Sequence, residues 1–335
     1  MQNSHRKLAV SVTILFTLSQ FIILYLFGYT PYPDSNGYIS LALECVKSDE
    51  PYPVSSQISY LPFIWNIGAI NIIALSLKLF GSILPLLLLY SMLKGFSAWL
   101  VYLISNILFR EKTAILALIL YVIYPANYGE STSVLSELPF TFFIMLGIYS
   151  SLKHENIIGG MLMAFANWIR PMGLVFLLSI MIYYLITKKK HALVKTACGY
   201  FFVIVIISTM SYIRTGYCIY QAKTGWMSLL QYSVDNSPED DAHYTQAKGY
   251  NAIQKDSVWQ KQTIKWIKKY PKEYIRQIPN KLVKTYISDN INFCTFLPNK
   301  NESSYMYKEI SMPTLACCFP HFTAVQWLTL YNLFY

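Results

Sequence analysis

The chain has 335 residues, 54% of them hydrophobic and only 13% charged, with a net charge of +10. Soluble domains carry about a quarter charged residues, so this balance excludes a single soluble core and predicts an integral, all-α polytopic membrane protein. Six cysteines without CxxC spacing and five scattered histidines argue against a zinc site or a redox motif.

The first apolar run, about 8–29, is too long for the core of a signal peptide and has no small-residue cleavage site after it. It predicts a retained first span. Tyr32-Pro33-Asp34-Ser35-Asn36 follows at its end, with Asp34, Tyr38 and Ala42 at fourfold spacing. Such spacing puts the three on one face of a helix. Residues 30–82 are read as an outer first loop. Within it, Leu61–Phe80 has the hydropathy of a span, but Pro62, Trp65, Asn66 and Asn71 favour an interfacial or re-entrant helix.

Further spans are expected over about 83–109, 113–129, 134–152, 157–169, 172–187 and 194–213. This set places His5-Arg6-Lys7, Arg110 with Lys112, Lys153-His154 and Lys188-Lys189-Lys190-His191 on one side. Short loops rich in Lys and Arg stay in the cytoplasm. Asp34, Glu130, Glu137 and Arg170 then share the opposite side. Glu130 and Glu137, seven apart, would lie on one helix face.

From 214 to 311 the chain turns polar, with 14 Lys or Arg, and reads as an extracytoplasmic, mainly helical domain. Amphipathic patterns run over Trp259–Tyr274 and Tyr274–Ile287. Residues 312–335 read as a final span, and the apolar end at Phe334-Tyr335 leaves a longer C-terminus open. The organisation is a transmembrane module over 1–213, the outer domain over 214–311 and a last span, about seven to eight spans in all. Cys218 and Cys294 would be able to pair in an oxidising compartment.

Taken singly, Asp34 is an ordinary polar flank, Glu137 a charge favoured at a helix N-terminus, and Arg170 a side chain that snorkels to the interface. Their convergence on one side at one depth is what suggests a site, since boundary charges pair or line cavities.

The ordered set of motifs resembles the GT-C glycosyltransferases. Pro33-Asp34-Ser35-Asn36-Gly37-Tyr38 to Ala42 looks like their first outer loop, and Leu135-Ser136-Glu137-Leu138-Pro139-Phe140 is similar to their L-S-E-x-x-F turn. Gly159–Leu174 looks like their Arg-Pro hairpin, with Ala164 where a second glycine is common. Lys78-Leu79-Phe80-Gly81 and the Trp-Ile-Lys-Lys-Tyr-Pro-Lys-Glu-Tyr stretch at 266–274 add to it. The nearest branch is the protein mannosyltransferase-like and aminoarabinose transferase-like one, and the likeness spans roughly 8–290.

The resemblance implies a GT-C-like bundle that transfers a sugar from a polyprenyl-phosphate donor to a lipid, glycan or protein acceptor on the extracytoplasmic face. It implies Asp34 as catalytic base, Glu137, Tyr38 and Glu130 for positioning the acceptor or a metal, and Arg170 and Lys223 for the donor phosphate. No cofactor is required, a divalent metal is left open, and nucleic acid is not among the expected partners. A bacterial inner membrane is the expected location. The chain departs from the family in having Ser35 where a second acid is common, and in having fewer spans. A non-catalytic assembly protein and a glycolipid transporter or flippase are the competing readings.

Overall fold

The computed structural model describes residues 2–59, 61–234, 247 and 249–286, and every regular element among them is helical. In chain order these are α1 (Gln2–Phe27), α2 (Pro33–Ser48), α3 (Ser55–Ile58), α4 (Ile67–Phe80), α5 (Leu84–Leu108) and α6 (Glu111–Ile123). Two 3-10 turns, Pro125–Tyr128 and Glu130–Thr132, lead into α7 (Glu137–Leu152). Then come α8 (Asn156–Ile169), α9 (Gly173–Ile186), α10 (Lys190–Thr215), α11 (Gly225–Val234), α12 (Ala252–Lys269) and α13 (Pro271–Tyr286).

Local chemistry sets the boundaries. Gly81 and Gly216 stop α4 and α10 in the left-handed conformation that glycine adopts without strain. Pro33 opens α2, where its missing N–H is not needed. Asn251 accepts from Ile253 N–H and Gln254 N–H, and Gln254 returns a bond to its backbone, so a capping box starts α12.

Among the described residues three helices are long and apolar enough to cross a bilayer: α1 over His5–Phe27, α5, and α10. The 3-10 turns and α7, bent by 114°, make a fourth if counted as one broken span. Among the described residues, which do not include the last expected span, helix length alone does not reach the seven to eight spans expected. Helices α6, α8 and α9 have 13, 14 and 14 residues, about 20 Å each at 1.5 Å per residue, against a hydrocarbon layer of about 30 Å. Prolines 125 and 171 and the left-handed turn residues His154 and Lys188 end the apolar runs early. Helix α4, with 14 residues, is likewise too short to cross alone.

Among the described residues there are four cores, one of them formed by Leu230, Trp259 and Trp266 of α11 and α12 and the other three mainly by α1 to α10. Of those three, one joins α1, α5 and α6 through Phe16, Ala98 and Leu118; one joins α7 to α10 through Ile144, Met163, Leu177 and Tyr200; the third joins α2, α4 and α5 through Tyr38, Ile70 and Tyr90. Helices α8 and α10 pack backbone to backbone. A Cβ on Gly160 would lie 2.0 Å from the Thr196 carbonyl oxygen, and one on Gly199 would lie 2.1 Å from that of Ile157. Small residues at such a crossing are the usual device for close helix packing in membranes. Outward, Leu15, Ile22 and Leu26 of α1 and Phe202, Val205 and Ile213 of α10 are exposed. Apolar surfaces of this extent suit lipid contact.

The turns α5–α6, α7–α8 and α9–α10 carry the basic clusters. Arg6 at the start of α1 and Glu111 at the start of α6 both act electrostatically on Tyr102 near the end of α5, so these ends lie together. Tyr184 of α9 donates to the Ser151 carbonyl of α7 at 2.9 Å and to Asn156 of α8 at 2.6 Å, which gathers the other ends. The expected amphipathic stretches fall on α12 and α13, but the break comes at Tyr270-Pro271, inside the first stretch, rather than at Tyr274, and Ile287 lies outside the described residues. Cys294 and the expected span over 312–335 lie outside the described residues.

Candidate active site

The site grows from α2. Its apolar positions Tyr38, Ala42 and Cys45 are buried against α4, and this anchors the helix so that Asp34, one turn earlier, sits at the edge of the same face. Gly37 is required for this seating: a Cβ there would lie 2.1 Å from the Trp65 ring. Trp65 in turn meets the Tyr38 ring edge to face at 5.1 Å.

Asn66, which precedes α4, joins two elements. Its side-chain amide donates to the Tyr38 hydroxyl at 2.8 Å and to Ser136 Oγ at 2.9 Å. Ser136 stands directly before α7 and is fully buried. It also accepts from the Arg170 guanidinium at 3.1 Å and donates to the Glu137 carboxylate at 3.2 Å. Arg170 closes the group with an ion pair to Glu137 at 2.5 Å. It reaches this position because α8 ends in an extended residue, the conformation that a following proline, Pro171, imposes.

Asp34, Tyr38, Glu137 and Arg170 therefore converge, whereas Glu130, which the sequence pattern grouped with Asp34, Glu137 and Arg170, does not join them. Among the described residues Asp34 makes no hydrogen bond or ion pair, but Glu137 and Arg170 both act on its charge. Asp34 is exposed by surface area, yet its carboxyl is crowded by protein atoms, and the crowding is what acts on the charge. Desolvation raises its pKa above the usual carboxylate value, repulsion from Glu137 adds to this, and Arg170 opposes it. Burial, with smaller contributions from Asp34 and Glu137, pushes Tyr38 up to about 12, so its hydroxyl keeps its proton.

Glu130 is elsewhere. It lies in the second 3-10 turn, while Glu137 begins α7 beyond the 114° bend, so the two do not share a helix face. The sevenfold spacing misleads because the intervening chain is not helical. Glu130 pairs instead with Lys94 of α5, which also lies 5.5 Å from the centre of the Tyr121 ring. Both charges are largely buried. Next to Glu130, Ser131 donates to Gln20 of α1 at 2.9 Å.

Lys223 sits on the segment after α10. Its backbone N–H donates to the Ile64 carbonyl at 2.8 Å, and its ammonium faces Asp256 of α12 at 3.8 Å. Both line an open cavity of about 490 Å³ together with Pro171, Tyr220, Gln221 and Trp226. Pro171 is the direct neighbour of Arg170, so this cavity adjoins the cluster. Burial raises the Asp256 carboxyl, against the pull of Lys223.

Four contributors were not foreseen as site residues. Asn66 was legible only as a polar residue in an apolar run, and Ser136 only as part of a motif. Tyr90 of α5 is 1% exposed, its hydroxyl has no hydrogen-bond partner among the described residues, and it is within electrostatic reach of Tyr38 and Glu137. No local signal separates it from the chain's 27 other tyrosines. Lys94 had a signal, a lone charge inside a long apolar helix.

Among the described residues no three His, Cys, Asp or Glu side chains come together. A divalent ion would find two carboxylates, Asp34 and Glu137, the second held by Arg170. Compared with protein-family models, with curated proteins and with solved structures, the chain gives no match to any of the three. Chemically, the cluster offers an unpaired carboxylate of raised pKa, a neutral phenol, and a guanidinium whose current partner is another carboxylate.

Proposed function

We propose that the chain is an integral membrane glycosyltransferase that moves a sugar from a polyprenyl-phosphate donor to a hydroxyl acceptor on the extracytoplasmic face. The observation that carries this reading is the convergence of Asp34, Tyr38, Glu137 and Arg170 from three separate parts of the chain. Asp34 takes the acceptor proton as the new bond forms. A carboxyl raised toward neutrality is the better base, because proton transfer is most effective near the working pH. Attack at the anomeric carbon opposite the phosphate displaces it in one step and inverts the centre. The leaving polyprenyl phosphate gains negative charge, which Arg170 meets with a charge-assisted contact. Glu137 holds Arg170 in place until the anion arrives, and Lys223 in the adjoining cavity is the second cation for the donor.

In this reading the basic turns face the cytoplasm, α11 to α13 lie outside, and the shorter apolar helices complete seven to eight crossings in a bacterial inner membrane. One observation favours the transporter reading instead: Lys94 lies midway along a span-length helix, where ionisable groups mark transport pathways.

The test is a mass profile of surface glycans and polyprenyl-phosphate sugars in a deletion strain carrying either the natural gene or Asp34→Asn at matched membrane levels. Loss of one glycan unit with accumulation of the carrier sugar supports catalysis by Asp34. Identical profiles that both differ from the empty deletion strain overturn it.

A further inference from the structure

Helix α13 is turned the wrong way for a helix of a soluble domain. The flank that meets the protein is a largely polar one. Gln277 donates to the Ser233 carbonyl at 3.0 Å, the Lys281 ammonium reaches Ser233 Oγ at 3.4 Å, and Tyr274 meets the Trp266 ring of α12 at 6.4 Å. These residues, at 274, 277 and 281, form one stripe at helical spacing.

Its apolar side points away. Ile275, Ile278, Leu282 and Val283 are 64%, 42%, 53% and 59% exposed, and they are joined on the helical wheel by the exposed Pro279. At about 100° per residue they fill a continuous arc of roughly 140°, which adjoins the packed stripe at Ile278 beside Tyr274 and turns away from it toward Val283. The exposed Arg276 borders that arc beyond Val283, and the exposed Lys272 falls just inside the same border, between Pro279 and Val283. The helix sequence contains four basic residues, Lys272, Arg276, Lys281 and Lys284, and one acid, Glu273.

We propose that α13 lies in the surface of the bilayer, its apolar arc among the upper acyl chains and its basic border against anionic headgroups. A strongly amphipathic helix of low mean hydropathy, with Lys and Arg beside the apolar face, is the kind that binds in the interfacial plane. Each basic residue near an anionic surface adds to the attraction. A bilayer is the natural partner, since α1, α5 and α10 are long and apolar enough to cross one. A second copy is the weaker occupant, because it brings another net charge of +10 to a basic border. The inference does not depend on glycosyl transfer. In such a position α13 holds the α11–α12 unit, and with it Asp256 and the cavity beside Pro171, at the level of the lipid.

The test uses the full chain with its six cysteines replaced by serine, in lipid nanodiscs of phosphatidylcholine alone or mixed with phosphatidylglycerol. Leu282→Cys carries an environment-sensitive fluorophore, and Asn280→Cys, off the arc, carries the same label as the control for a folded helix. The expected result is blue-shifted emission at 282, quenched by spin-labelled lipid and not by iodide, with the reverse at 280. Adding Lys272→Gln and Arg276→Gln lowers lipid quenching at 282 in the anionic discs to that in the neutral ones. Iodide quenching at 282 overturns the proposal. So does shielding at 282 from both quenchers, which would mean a protein cover such as residues 287–335 or a second copy. The same behaviour at both positions overturns it as well.

Discussion

Arg170 and Glu137 meet at 2.5 Å although they belong to different helices. The guanidinium in the cluster is thus partnered before any anion arrives. Both side chains are about a third or more exposed, so the pair itself adds at most about 1 kcal/mol to stability. Its effect is on binding. Glu137→Gln frees Arg170, and the donor KM is expected to fall, whereas Arg170→Gln raises it about tenfold or more. Steady-state kinetics with a lipid-phosphate sugar separates the two, and a Glu137→Gln variant with a raised donor KM would contradict this role.

Asp34 controls the acid side of the pH profile. Its pKa is raised by burial and by Glu137 and lowered by Arg170. The kcat/KM value is expected to fall as pH drops through a pKa above the ordinary carboxylate value. Glu137→Gln removes a repulsion and moves that limb to lower pH, while Arg170→Gln moves it higher. Opposite shifts in the two variants are the signature, and equal shifts would rule out direct electrostatic contact with the base.

The same shift bears on stability. A carboxyl whose folded pKa lies above its unfolded value favours folding most below the unfolded pKa, and that contribution is lost as pH rises through the folded pKa. Asp34 is therefore ionised at a cost near neutrality. Asp34→Asn is expected to raise the Tm in detergent at neutral pH while abolishing transfer, the usual exchange of stability for function at a site. A lowered Tm with intact secondary structure would show that the carboxylate is structural.

Lys94 and Glu130 form the most deeply buried ion pair among the described residues. Lys94→Met strands the Glu130 charge and is expected to cost about 3–5 kcal/mol, with the double variant Lys94→Met and Glu130→Gln recovering most of it. Thermal unfolding of all three variants in one detergent checks this. Additive losses would mean that the two side chains act independently.

At the crossing of α8 and α10, Gly199→Ala places a methyl 2.1 Å from the Ile157 carbonyl oxygen. Backbone cannot swing aside as a side chain can, so the helices must separate, at a cost of about 1–3 kcal/mol. Arg170 ends α8, so the variant is also expected to lower kcat. A Tm unchanged by this substitution would refute the close crossing.

The chain alone determined the membrane character, the helical class, the polar turns and the common face of Asp34, Tyr38 and Ala42. These follow from composition, helical period and capping, which act within a few residues. The chain also brought Glu137 and Arg170 under suspicion, because Glu137 opens one apolar run and Arg170 closes another. Only the tertiary structure decided the partners. Glu130 turned to Lys94, 36 residues away, rather than to Asp34. Asn66 became the joint between Tyr38 and Ser136, 70 residues apart from itself at the far end. Tyr90 came to face the same cluster from α5, and α13 met the protein through Gln277 and Lys281 while its apolar arc stayed exposed. A carboxylate's partner is set by which cation the packed helices carry within a few ångströms of it, and sequence spacing contains that information only while the intervening chain stays helical.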